Sequence, residues 1–83
     1  MIANRELYLK VINNGGTGNE RYHLGEDVTI LMNDDWVVSG VIKQIYETFL
    51  TLSSANQYIT LEYENMIKIA NTEWLAGEDI RDS

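Results

Sequence analysis

Apolar residues along this chain recur mostly at every second position, the period of a half-buried strand, rather than at the 3.6 of a helix. Glu6-Leu7-Tyr8-Leu9-Lys10-Val11 alternates and reads as a strand, with a short N-terminal helix as the competing assignment. Residues 13–19, Asn-Asn-Gly-Gly-Thr-Gly-Asn, tolerate positive φ and predict a turn or flexible loop. Arg21 to Leu24 is a short extended piece that runs into Gly25. Val28 to Met32 is a strand, Asn33-Asp34-Asp35 a turn, and Trp36 to Tyr46 a long β-branched run. Gly40 interrupts that run and marks a bend, a bulge or a close backbone approach. Phe49 to Leu52, Tyr58 to Tyr63 and Met66 to Ile69 complete the strands, separated by Ser53–Asn56 and by the short Glu64-Asn65 link.

Five strands with turns every eight to twelve residues predict a mostly β protein built as a small barrel. Val28, Ile30, Ile42, Ile45, Leu52, Leu61, Ile67 and Ile69 are its expected core. The whole chain, residues 1–83, reads as one domain: an N-terminal extension over 1–24 (strand or short helix), the barrel over 25–70 and a short acidic tail over 71–83. Thr72-Glu73-Trp74-Leu75 suits one helical turn stopped by Gly77, and Glu78 to Ser83 reads as frayed.

Composition narrows the chemistry. A domain of 83 residues buries only about 60% of its unfolded surface, so oligomerisation or a partner is a natural support. There is no cysteine and a single histidine, which removes disulfides and a conventional zinc site. Six basic against thirteen acidic side chains give a net charge of −7, unfavourable for phosphates and anionic lipid and favourable for basic or mixed protein surfaces. No run suits a membrane span, and no basic-then-apolar leader opens the chain, so the expected compartment is the cytoplasm.

None of the candidate chemical motifs is complete. His23 lacks a nucleophile nearby in sequence, and Gly15-Gly16-Thr17-Gly18 lacks the lysine and following helix of a phosphate loop. Glu26-Asp27 and Asp34-Asp35 lack the alternating acidic spacing of a calcium loop. The expectation is a protein that is not an enzyme and needs no cofactor or metal. The large rings carry more information, because tryptophan and tyrosine dominate protein interfaces. The candidate protein-binding residues are Asp34, Asp35 and Trp36 in one turn, together with Tyr46, Tyr63 and Trp74.

From Gly25 to Ala70 the chain resembles the Sm-like family, and within it the bacterial Hfq type. The residues that carry the likeness are Gly25 with Val28-Thr29-Ile30, Val38-Ser39-Gly40-Val41-Ile42 at the bend, the core positions Ile45, Phe49, Leu50 and Leu52, and Tyr63-Glu64-Asn65-Met66-Ile67 in the link between the last two strands. The resemblance implies a 3₁₀ turn in that link, a short helix before the barrel, rings formed through edge-strand pairing, and binding of single-stranded RNA. Its RNA-contact residues are not retained. Tyr63 stands, but Glu64 and Asn65 replace a lysine and a histidine, and the arginine-glycine pair of the eukaryotic pattern falls on Glu62 and Tyr63. Asn33-Asp34-Asp35-Trp36 also resembles the acidic turn and tryptophan with which SH3 domains grip proline-rich peptides, although the other SH3 motifs are absent. The expected fold is therefore a small Sm-like or SH3-like barrel. The expected function is a non-catalytic binding module that engages a protein partner, of the regulatory or inhibitory kind that phages and mobile elements encode. The alternatives are a divergent Sm-like homo-oligomer binding single-stranded RNA through stacking, which requires Lys10, Arg21, Lys43 and Lys68 to cluster on one face, and a purely structural oligomer.

Overall fold

A computed structural model describes residues 2–5, 8–16 and 18–82. The protein is mostly β, with its strands in two antiparallel sheets. The first sheet holds β1 (Ile2–Arg5), β2 (Leu9–Ile12) and β3 (Glu20–Tyr22) in sequential order. The second holds β4 (Asp27–Met32), β5 (Val37–Ile45), β6 (Phe49–Ser54), β7 (Gln57–Glu62) and β8 (Met66–Asn71) in the order β7-β6-β5-β4-β8. All five strands expected between residues 25 and 70 are present, and the link Tyr63–Asn65 is a 3₁₀ turn. The pairing leaves β7 and β8 as the two edges of an open sheet. The N-terminal extension is stranded over Ile2–Arg5 and Leu9–Ile12; the expected strand begins at Glu6 and Leu7, which lie outside the described residues, as does Thr17 of the glycine loop.

The bend in β5 has a steric cause. A Cβ on Gly40 would lie 2.7 Å from the Ser53 carbonyl oxygen and 3.2 Å from the Leu52 Cβ, so only glycine lets β5 approach β6 this closely. The register between these strands then shifts between Ile42 and Gln44, a bulge that adds to the bend.

One main core gathers Val28, Ile30, Ile42, Leu50, Leu52, Leu61 and Ile69 with Leu9, Val11 and Tyr22 from the first sheet. Ile45 is partly buried against this core. Ile67 is a correction: it is 43% exposed, because the β4–β8 register is irregular here, pairing Leu31 with Lys68 but Met32 with Met66 and leaving Ile67 unpaired between them. The tail is a second correction. A helical turn, α1 (Thr72–Leu75), and a 3₁₀ turn (Ile80–Asp82) lie on the opposite face of β4 and β8, where Leu75 and Ile80 are buried against Leu31 and Ala70. Asn71 caps α1 by accepting the Trp74 N–H at 3.1 Å, and Ala76 ends it in the left-handed conformation. The apolar Leu75 and Ile80, spaced by a polar turn, anchor a segment whose composition alone reads as frayed. Coverage on both faces also explains why Val28 to Met32 are buried throughout instead of alternating.

Candidate protein-binding groove beside Trp36

The β4–β5 turn is held by backbone and side chain together. Asp35 N–H donates to the Met32 carbonyl at 3.0 Å and Met32 N–H to the Trp36 carbonyl at 2.8 Å, with Asp35 at φ 69°. A turn followed by one left-handed residue is a standard hairpin connection, and aspartate tolerates that conformation better than most residues. The Asp34 carboxylate accepts the Trp36 N–H at 3.0 Å, which fixes the entry of the tryptophan into β5. Asn33 N–H donates to the Asn65 carbonyl at 2.7 Å, tying the turn to the β7–β8 link.

These ties place the turn beside the outer edge of β7 and leave a groove of about 370 Å³ between them. Met32 and Leu61 provide apolar lining, and Trp36, 52% exposed, lines it from the turn. Asp34 and Glu62 supply the charge, and among the described residues no basic side chain lines the groove. Asn33, Thr60 and Asn65 complete the polar part.

The β7 edge that borders this groove is open. Ala55 and Asn56 both have positive φ, so β6 and β7 are joined by a two-residue hairpin turn closed by the pair Ser54 and Gln57. Hydrogen-bonded pairs then alternate along the ladder: Gln57, Ile59 and Leu61 bond to β6, while the N–H and C=O of Tyr58, Thr60 and Glu62 point away from it. Among the described residues, no strand pairs with that side.

The six residues expected at a binding site separate in the structure. Asp34 and Trp36 share the groove. Asp35, their neighbour, is engaged elsewhere: its carboxylate accepts Arg81 Nε at 2.8 Å and its carbonyl accepts Nη2 at 2.7 Å, which ties the tail to the turn. Arg81 also donates to Asp79, whose carboxyl is held below the usual range first by the Arg81 backbone N–H and then by the guanidinium. Tyr63 is buried and donates its hydroxyl to the Tyr46 carbonyl at 2.5 Å, while the Tyr46 ring stacks on Phe49 at 4.5 Å. Tyr63 thus braces the 3₁₀ link, and Tyr46 is half-buried outside the groove. Trp74 is 74% exposed and lies on a different groove. Glu62 and Asn65 stand out in the sequence only as replaced RNA-contact positions, and Thr60 not at all; alternation marks Thr60 and Glu62 as outward-facing, but their meeting with the turn depends on tertiary folding.

The second groove, about 560 Å³, runs along β8 between Trp74, Tyr22 and Asn14. It is larger, yet its polar groups serve the fold. The buried Asn14 side chain accepts the Ile69 N–H at 2.9 Å and donates to the Ile69 carbonyl at 2.7 Å. The Tyr22 hydroxyl lies within hydrogen-bond reach of the same carbonyl at 3.0 Å and closely contacts Glu20. Burial, and then the hydrogen bond to Glu20, push the Tyr22 phenol above its ordinary range. Asn71 donates to Glu26 at 3.0 Å.

His23 is exposed, 4.0 Å from Glu26. Among the described residues, no three His, Cys, Asp or Glu side chains gather as a metal site, and no helix is long and apolar enough to cross a membrane. Comparison with family models, curated proteins and solved structures finds no match to this chain.

Proposed function

We propose that the chain is a non-catalytic protein-binding module of Sm-like build, whose groove between Trp36 and β7 receives a basic segment of a protein partner. The observation that carries this reading is the composition of the groove: an exposed tryptophan against apolar lining, with two carboxylates and, among the described residues, no cation. A half-exposed ring beside apolar surface provides anchorage, and unopposed carboxylates attract a basic partner. The Sm-like part is supported by the five strands, the 3₁₀ link and the glycine bend. RNA contact at the link is not supported, since Tyr63 is buried and braces Tyr46.

One observation favours the RNA-binding alternative. Lys10 and Arg21 face each other across β2 and β3, and the Arg21 guanidinium lies 5.0 Å from the centre of the Tyr8 ring, a small cation-aromatic platform. A titration in a Trp74→Phe background, which reports on Trp36 emission alone, separates the two readings. Basic peptides carrying apolar residues are expected to shift the emission and bind more tightly than oligo-A or oligo-U. Binding of either oligonucleotide more tightly than the peptides, with the emission unmoved by peptide, overturns the protein-binding reading.

A further inference from the structure

We infer that the partner enters the Trp36 groove as an extended strand added to the outer edge of β7, with basic and apolar side chains in alternation. This rests on the protein-binding reading and specifies its geometry. The backbone groups of Tyr58, Thr60 and Glu62 point away from β6, each offering one N–H and one C=O, and those of Thr60 and Glu62 lie along the border of the groove. A segment of about five residues, at roughly 3.3 Å per residue, spans that edge.

Side-chain alternation sets the chemistry of the segment. On β7, Tyr58, Thr60 and Glu62 share one face, while Ile59 and Leu61 point to the other. A strand laid alongside inherits the same two faces. Its residues on one face meet the Glu62 carboxylate, which selects lysine or arginine. Those on the other continue the Ile59 and Leu61 face toward Met32 and Trp36, which selects apolar residues.

A second copy of this chain is a poor occupant. Two β7 edges pairing antiparallel about Thr60 set Glu62 of each copy opposite Tyr58 of the other, so neither copy supplies a cation for Glu62, and both carry a net charge of −7. The other edge, β8, already has its Ile69 N–H and C=O engaged by Asn14. A separate basic strand meets neither obstacle.

The test uses the full chain in the Trp74→Phe background with the probe acetyl-Lys-Val-Lys-Val-Lys-Val-Lys-amide. Amide exchange is followed residue by residue, and Trp36 emission is read in parallel. Two further probes carry N-methyl groups, one on the lysines at positions 3 and 5, the other on the valines at 2, 4 and 6. Strand addition predicts a Trp36 shift, at least about tenfold slower exchange at the outward amides of β7, and unchanged exchange at Ile59 and Leu61. It also predicts that one methylated probe loses binding while the other keeps it, since only alternate amides face β7. A Trp36 shift with both methylated probes binding alike, and no new protection on β7, overturns strand addition and leaves the groove as a side-chain docking site. No Trp36 shift and no protection with any probe overturns both the strand and the groove.

Discussion

The two edges of the five-stranded sheet are treated in opposite ways. At β8 an asparagine from the loop after β2 reaches across and occupies both backbone groups of Ile69, with the Tyr22 hydroxyl beside it. At β7 no strand, and no such side chain among the described residues, occupies the outward groups of Tyr58, Thr60 and Glu62. A bare edge is a template for pairing, so natural sheets cover, charge or shorten it. Here the N-terminal segment covers one edge with a neutral amide, and the other is left to charge, with Glu62 on the strand and Asp34 beside it. Covering removes an edge from every partner. Charge removes it only from acidic ones, and this contrast underlies the selectivity proposed for the β7 groove.

The largest effect that tests this contrast is at Asn14. Asn14→Ala strips both bonds from Ile69 in a buried setting, and leaving such groups unsatisfied is expected to lower stability by about 2–4 kcal/mol. Thr60→Ala on the open edge removes only an exposed side chain and is expected to change stability by no more than about 0.5 kcal/mol. Urea unfolding of both variants measures the difference. Equal losses would mean that Asn14 does not hold the β8 edge in solution.

A smaller effect belongs to Tyr22. Tyr22→Phe removes the hydroxyl at Ile69 and is expected to cost about 1 kcal/mol. The sign of its pH dependence follows from the raised phenol. The folded protein favours the neutral form, so this contribution is full below the unfolded tyrosine value of about 10 and declines as pH rises beyond it. Wild type should therefore lose stability above about pH 10 relative to the Tyr22→Phe variant, with the gap between them closing. A gap that stays constant from pH 8 to 11 would show that the hydroxyl does not sense its buried setting.

The sequence made the five strands legible because their signals are local: alternation, paired turn residues and one glycine in a long strand. It made half of the groove legible as well, since Asp34 and Trp36 occupy one turn. Two kinds of information were not local. Asn14 reads as part of a permissive loop, and its contact with Ile69, 55 residues away, comes from the first sheet packing over the second. Asp35 reads like Asp34, but Arg81 engages it only because the tail folds back onto β4. Ile67 fits the alternating pattern and fails as core because a register irregularity interrupts the ladder. Pattern identifies strands; packing decides which polar side chains remain available to a partner.

The smallest effect on stability, and the sharpest on recognition, is expected from Asp34→Asn combined with Glu62→Gln. Asparagine keeps the Oδ1 that accepts the Trp36 N–H, so the turn retains its geometry while losing its charge. Glutamine leaves the β7 backbone untouched. Stability should move by no more than about 0.5 kcal/mol, since both positions are exposed in the free protein. Association with a basic peptide should slow and lose much of its salt dependence, because exposed charges act chiefly on approach. Trp36→Ala should instead raise the dissociation rate, because the ring acts after the partner has arrived. Stopped-flow traces at low and high salt resolve these two parameters. If the double variant associates at the wild-type rate and with the wild-type salt slope, charge does not guard the β7 edge, and the distinction between a covered edge and a charged one fails.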